Sequence, residues 1–227
     1  MHVLLFDIDG TLVNTRGSGL HALKVAFAET FDCPPPEQID TAGRTDRGIA
    51  QELFLAQAID NSHGNWVRFR DAYLRHLTDQ MARRQGVVLP GVTRLLKELG
   101  RWSHISLGLL TGNVQDGARI KLAHFGLHDY FRFGGFGERH PERNAVAEEA
   151  LQAARRAISH PLALDRVWVI GDTVLDIQCA RHIGAQAIAV ATGFQDKRDL
   201  AEQAPDLLLD DLDDAAELLH RLEVSSR

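Results

Sequence analysis

The opening segment Val3-Leu4-Leu5-Phe6-Asp7-Ile8-Asp9-Gly10-Thr11-Leu12 constrains this chain more than any other. An unbroken apolar run reads as a strand buried on both faces, which belongs in a parallel sheet. The run ends in two carboxylates spaced i, i+2, followed by Gly-Thr. Ligands bind where strands leave open α/β sheets, so the pair sits at a site-forming edge. One carboxylate can attack as a nucleophile, and the other can move a proton to or from a leaving group. Gly10 permits the tight turn that this placement needs. A strand followed by an acidic turn with no chemistry would also account for the segment.

From about Gly17 to Arg84 the pattern is helical. Leu20, Leu23, Phe27 and Phe31 recur at helical spacing, as do Ile49, Leu53 and Ala56, then Trp66, Phe69, Tyr73, Leu77 and Met81. Thr45 is expected to cap the middle helix and Asn65 the third. Cys33-Pro34-Pro35-Pro36 and Asn61-Ser62-His63-Gly64 separate them. The stretch is long enough to bury a small core, which explains its aromatic stripe.

After Leu89-Pro90-Gly91 strands alternate with helices. Strands are expected at Ile105–Leu110, weakly at Phe133–Phe136, then at Arg166–Ile170, Ala187–Val190 and Leu207–Leu209. Helices are expected around Leu95, around Leu122, over Asn144–Ile158, over Thr173–Ile183 and over Asp213–Leu222. This order implies right-handed βαβ units around a parallel sheet. The fold class is therefore α/β, a Rossmann-like core with an inserted α-helical cap. The expected domains are a core of residues 1–14 and 87–227 and a cap of residues 15–86.

Two more strand ends carry polar signals. Thr111-Gly112-Asn113 offers backbone N–H groups and a side-chain amide to an anion, although a helix cap would use the same residues. Gly171-Asp172-Thr173-Val174-Leu175-Asp176 sends Asp172 out of its strand as Asp7 leaves the first. Two acidic oxygens converging from neighbouring strand ends suit Mg²⁺, which keeps several of its waters. Asp176 lies one helical turn on, where a dipole-favoured first-turn acid would also sit.

The formal net charge of -6 argues against a general nucleic-acid or anionic-membrane binder. No apolar run reaches the roughly 20 residues of a membrane span. Met1-His2 leads straight into the first strand with no signal peptide, and Cys33 and Cys179 lack metal-ligand spacing. A cytoplasmic protein with two unpaired thiols is expected.

Taken together, Asp7-Ile8-Asp9-Gly10-Thr11, Leu110-Thr111-Gly112-Asn113 and Gly171-Asp172-Thr173 with Asp176 resemble the motifs of the haloacid dehalogenase superfamily. The likeness is to its small-molecule phosphatases, of the phosphoglycolate phosphatase kind. It implies a Mg²⁺-dependent phosphatase acting on a small phosphorylated substrate as a monomer or homodimer. Asp7 would form an aspartyl-phosphate. Asp9 would be the acid and base, and would also ligate the metal through its carbonyl. Thr111 would bond the phosphoryl oxygens. Asp7, Asp9, Asp172 and Asp176 would surround Mg²⁺, with Asp176 in an outer shell or orienting a cation. Gly10, Thr11, Gly112 and Asn113 are expected around the phosphate. Arg44 or Arg47, from Gly43-Arg44-Thr45-Asp46-Arg47, is expected to reach an anionic group of the substrate from the cap.

The likeness fails at one motif. Relatives place a Lys before a Pro ahead of the fourth-motif strand, whereas Gly137-Glu138-Arg139-His140-Pro141-Glu142-Arg143-Asn144 has none. Lys121, on another helix, is expected on the surface. Arg143 is the first candidate for the missing charge and Arg139 the second. A sugar phosphomutase would use the same motifs. A haloacid dehalogenase would lack the acid at Asp9, and a non-catalytic phosphate binder would not need all the acidic motifs.

Overall fold

The computed structural model describes residues 1–158, 161–193 and 195–224. Six strands form one parallel sheet in the order β5-β4-β1-β6-β7-β8. They are β1 (His2–Phe6), β4 (Ile105–Thr111), β5 (Gly134–Phe136), β6 (Val167–Gly171), β7 (Gln186–Val190) and β8 (Leu207–Leu209). The first strand is central: Val3 to Phe6 align with Ser106 to Leu109 on one side and with Val167 to Ile170 on the other. The chain fills one flank of β1 before crossing to the other. The switch point, where ligand crevices open, therefore lies at the C-terminal end of β1.

The period of two sorts the apolar run between two cores. Leu4, Phe6 and Ile8 join the face covered by α4 (Val92–Leu99), α5 (Gln115–His124) and α9 (Ala216–Val224). Val3 and Leu5 join the face covered by α6 (Arg143–Ala157) and α7 (Val174–His182). Burial on both faces is why the strand has no polar residue between His2 and Asp7.

Three helices intervene between β1 and α4: α1 (Ser18–Phe31), α2 (Asp46–Ala56) and α3 (His63–Arg83). They bury their own core around Phe27, Phe54 and Phe69, which meet edge-on or tilted with ring centroids 5.8 to 6.4 Å apart. Thr45 caps α2 as expected, accepting from Gly48 N–H at 3.0 Å. The cap of α3 is Ser62, not Asn65. Asn65 lies inside the first turn, where its own N–H is an orphan donor that the Ser62 hydroxyl receives. Its amide instead donates to the Asp60 carbonyl at 2.8 Å.

Among the described strands and α-helices, three have no expected counterpart. A two-residue ribbon, β2 (Val13–Asn14) with β3 (Val87–Val88), clips together the entry and exit of the helical region. The short α8 (Lys197–Glu202) buries only Leu200. Cys33 lies in a loop and Cys179 is buried on α7, both unpaired. Among the described residues, no helix is long and apolar enough to cross a membrane.

Candidate active site

The β1 ladder runs one residue past the strand, because Asp7 N–H donates to the Ile170 carbonyl at 2.9 Å. That bond fixes the Asp7 side chain at the switch point, where it is buried. Gly10 then turns the chain with φ +84, and a Cβ there would meet Asp172 Oδ2 at 2.4 Å. Gly193 approaches the same oxygen from the loop after β7, at 1.6 Å from an added Cβ. Glycine is needed at both positions for backbone to close around the Asp172 carboxylate. Thr11 Oγ1 donates to Asp172 Oδ1 at 3.0 Å.

Among the described residues, one carboxylate oxygen from each of Asp7, Asp172 and Asp176 lies within 4.8 Å of the others, and all three side chains are buried. Burial pushes the Asp7 carboxyl up to about 6, against the pull of Arg143 and with the push of Asp176 and Asp9. Burial and the charges of Asp7 and Asp176 push Asp172 well above the usual carboxylate range. Buried acids that resist ionising together mark a place where positive charge is needed.

Arg143 supplies one such charge. It is the first residue of α6 and is buried. Its Nη2 lies 3.0 Å from Asp7 Oδ1 and 2.5 Å from Asp176 Oδ1. Its Nη1 donates to the Gly43 carbonyl at 2.9 Å. Burial opposes the guanidinium's charge, but Asp176 and Asp7 outweigh it and raise its pKa. Arg139 is exposed. Asp176 is fully engaged: Oδ2 also accepts from Thr173 N–H and Oγ1 at 3.0 and 2.7 Å, as the third helical residue of a capping box on α7. Its oxygens hold Arg143 and the helix start.

Asp9 faces a different cation, and here the structure corrects the sequence reading. Lys121 is not on the surface. Only 5% of its side chain is exposed, and Nζ lies 2.5 Å from Asp9 Oδ2 and 2.6 Å from Asn113 Oδ1. The Asn113 amide donates to Asp9 Oδ2 at 2.9 Å and to Thr111 Oγ1 at 2.8 Å. Long side chains on helices point back toward the N-terminus, which carries Nζ from the last turns of α5 to the strand end. The signal available in the sequence was position: Lys121 lies two helical turns beyond Asn113, on the same side of the segment.

A cavity of about 210 Å³ covers these groups. Asp7, Asp9, Gly10, Gly112, Asn113, Lys121, Arg143 and Asp172 line its core side, and Leu20, Leu23, Ile49 and Tyr73 line the cap side. Thr11, Thr111 and Asp176 lie behind its wall. Arg44 reaches the rim, but its guanidinium is paired with Glu52, Nη1 donating to Oε2 at 2.6 Å. Arg47 does not enter; it stacks over Trp66 at 5.2 Å and bonds Asn61.

The cap is closed onto the core by backbone contacts at the start of α2. Asp46 N–H donates to the Gly112 carbonyl at 2.7 Å and Arg47 N–H to Gly137 at 3.0 Å. Thr45 Oγ1 donates to the Pro141 carbonyl at 2.9 Å. The Asp46 carboxylate accepts from Val114 N–H at 2.8 Å, where the helix α5 begins. Burial pushes the Asp46 carboxyl up to about 6, with Lys121 pulling the other way.

The chain is similar to known proteins along most of its length. A protein of Synechococcus elongatus named phosphoglycolate phosphatase is 28% identical over 98% of this chain and 99% of its own. Another of that name, from Chromobacterium violaceum, is 31% identical over 84% and 85%. The crystal structure of CbbY from Rhodobacter sphaeroides in complex with phosphate superposes with a TM-score of 0.75 at 20% identity, covering 95% of this chain and 96% of that one. The sequence pattern of the haloacid dehalogenase-like hydrolases matches residues 4–190, and the chain belongs to that family.

Proposed function

We propose that this hydrolase is a Mg²⁺-dependent phosphatase of small phosphate monoesters that works through an aspartyl-phosphate on Asp7. The observation that carries the reading is the pairing at the end of β1. Asp7 is buried on the cavity wall beside a guanidinium, and Asp9, two residues on, presents a partly exposed carboxyl to the same cavity.

The residues fit the metal. Asp7 and Asp172 supply hard oxygen donors, the type that Mg²⁺ takes, and the Asp9 carbonyl is the third candidate. Among the described side chains nothing donates to Asp172 Oδ2, while glycine backbone closes in around it. Bound Mg²⁺ would neutralise charge on the phosphoryl oxygens and let a dianion approach the carboxylates.

The protein's own groups account for the remaining chemistry. Asp7 attacks phosphorus, and the bond to the ester oxygen breaks. Asp9 delivers a proton to that oxygen, then takes one from the water that hydrolyses the acyl phosphate. Arg143 orients Asp7 and neutralises Asp176, while the Gly112 and Asn113 backbone faces the phosphoryl group. Thr111 supports Asn113 from behind. The closed cap excludes bulk water and strengthens these electrostatics.

Phosphoglycolate is the first substrate to try, since both named relatives carry that activity in their names. The decisive experiment is turnover of p-nitrophenyl phosphate and a panel of phosphorylated metabolites by the purified protein, with Mg²⁺ or with EDTA. Asp7→Asn keeps shape and loses the nucleophile, so turnover should fall by about three orders of magnitude or more while the fold persists. Turnover that survives in Asp7→Asn, or in EDTA, refutes the mechanism. A requirement for a sugar bisphosphate, with isomerised product, would assign a phosphomutase instead.

A further inference from the structure

Lys121 has no part in the reaction as written, yet it is among the most tightly held side chains in the cavity wall. An ammonium has three N–H donors. One goes to Asp9 Oδ2 at 2.5 Å and another to Asn113 Oδ1 at 2.6 Å. Asn113 closes the triangle by donating to the same Asp9 Oδ2 at 2.9 Å. The cap leaves room for the ammonium at Gly19, where a Cβ would come within 3.3 Å of Nζ, with the Tyr73 hydroxyl alongside.

The asymmetry of this arrangement is informative. Both donors converge on Oδ2, and no described side chain donates to Oδ1. A carboxyl oxygen already receiving two N–H bonds has no direction left for a proton of its own. The carboxyl is about one-third exposed, at 36%, so the other oxygen is the one available to a ligand.

We propose that Lys121 is a positioning residue that acts through Asp9. With Asn113 it occupies Oδ2 and so makes Oδ1 the oxygen that exchanges protons with the substrate. This rests on the phosphatase reading. In the first half-reaction an Asp7 oxygen bonds to phosphorus, and the P–O ester bond breaks with its electron pair going to the ester oxygen. The proton on Asp9 Oδ1 moves to that oxygen, releasing an alcohol. In the second half a water oxygen bonds to phosphorus, the Asp7 O–P bond breaks, and the water's proton returns to Oδ1. Lys121 gains and loses nothing in either half.

A group that only aims the acid matters in proportion to how much the leaving group needs one. An alkoxide must be protonated as it departs, whereas p-nitrophenolate leaves without help. The test compares kcat/KM, which reports leaving-group departure, for p-nitrophenyl phosphate and for the best alkyl phosphate in the panel. Lys121→Met removes the donor. Its kcat/KM should fall at least about tenfold further on the alkyl ester than on the aryl ester, within the range of general-acid contributions. Lys121→Gln keeps an N–H of similar reach and should recover part of the alkyl rate. It also carries the comparison if melting curves show that the Met variant does not fold. An equal fall on both esters would mean that Lys121 only supports the fold. An unchanged alkyl rate, or Gln no better than a folded Met variant, would equally overturn the proposal. Wild-type protein that hydrolyses neither ester in Mg²⁺ would instead refute the phosphatase reading, and this proposal with it.

Discussion

Removing the Arg143 guanidinium should damage both stability and rate, by amounts the structure sets. Its Nη2 serves Asp7 and Asp176 together, and its Nη1 holds the Gly43 carbonyl of the cap. All three charged side chains are at least nine-tenths buried. Deleting one partner of such a group leaves uncompensated buried charge, at a cost of about 3–5 kcal/mol. In a domain of this size each kcal/mol lowers Tm by about 2–4 °C, so Arg143→Met should melt roughly 6–20 °C below wild type in EDTA. Turnover in Mg²⁺ should fall about 10²–10³-fold, as when other preorganised electrostatic donors are removed. Arg143→Lys restores one charge but not the fork, and a point charge cannot serve two carboxylates and a carbonyl at once. It should recover part of both losses. Arg139→Ala, at an exposed position, is the control and should change neither. Differential scanning calorimetry and steady-state kinetics on the four proteins decide the matter. A Tm for Arg143→Met within about 2 °C of wild type, with turnover within threefold, would show that the carboxylates are neutralised by another route.

Chelation should abolish turnover and Mg²⁺ restore it, and Asp172→Ala should raise the Mg²⁺ concentration needed for half-maximal rate at least about tenfold. Gly112→Ala should impair cap closure, because its Cβ would lie 1.9 Å from the Arg44 carbonyl oxygen; faster limited proteolysis between residues 33 and 45, with an unchanged core, would report it. His2 is buried and accepts from Trp168 Nε1 at 3.2 Å. Burial first, then nearby positive charge, lowers its pKa from 6.5 to about 4. The unfolded chain therefore binds the extra proton between about pH 6.5 and 4. Stability should rise with pH across that window and level off above it, by up to about 3 kcal/mol. Denaturant titrations of wild type and His2→Gln at pH 4.5 and 7.5 would show it as a difference of differences; parallel pH dependence would refute it.

The parts of the site at strand ends were legible because two constraints coincide there. Asp7 and Asp172 follow apolar runs that read as buried strands, and a carboxylate at such a strand end sits where ligand crevices open. Arg143 was legible by elimination, as the first cation on the helix that begins where the usual lysine is absent. Lys121 was not. As a charged residue on a helix away from the motifs, it read as a solvated surface side chain. Lys121 is held by Asp9 and Asn113 and meets the cap at Gly19, all remote from it or off its helix. The β2–β3 ribbon is two residues long on each side, too short for any periodicity. At α3 both Ser62 and Asn65 are capping types. The choice fell to Ser62 because the chain turns helical one residue later, at His63.

Both buried cations lie on the seam between the core and the cap, and this links the fold to the chemistry. Arg143 reaches across the seam to Gly43, and Lys121 faces Gly19 across it. Asp46 crosses in the other direction, offering its carboxylate to Val114 N–H, at the positive end of α5. An open cap would expose Arg143, Lys121 and Asp46 to water, where each would be worth a fraction of its closed-state strength. Closure therefore does more than enclose a substrate. It keeps the ion pairs on Asp7 and Asp9 out of bulk water, and under the proposed mechanism that shielding would strengthen the contacts that aim the two carboxylates.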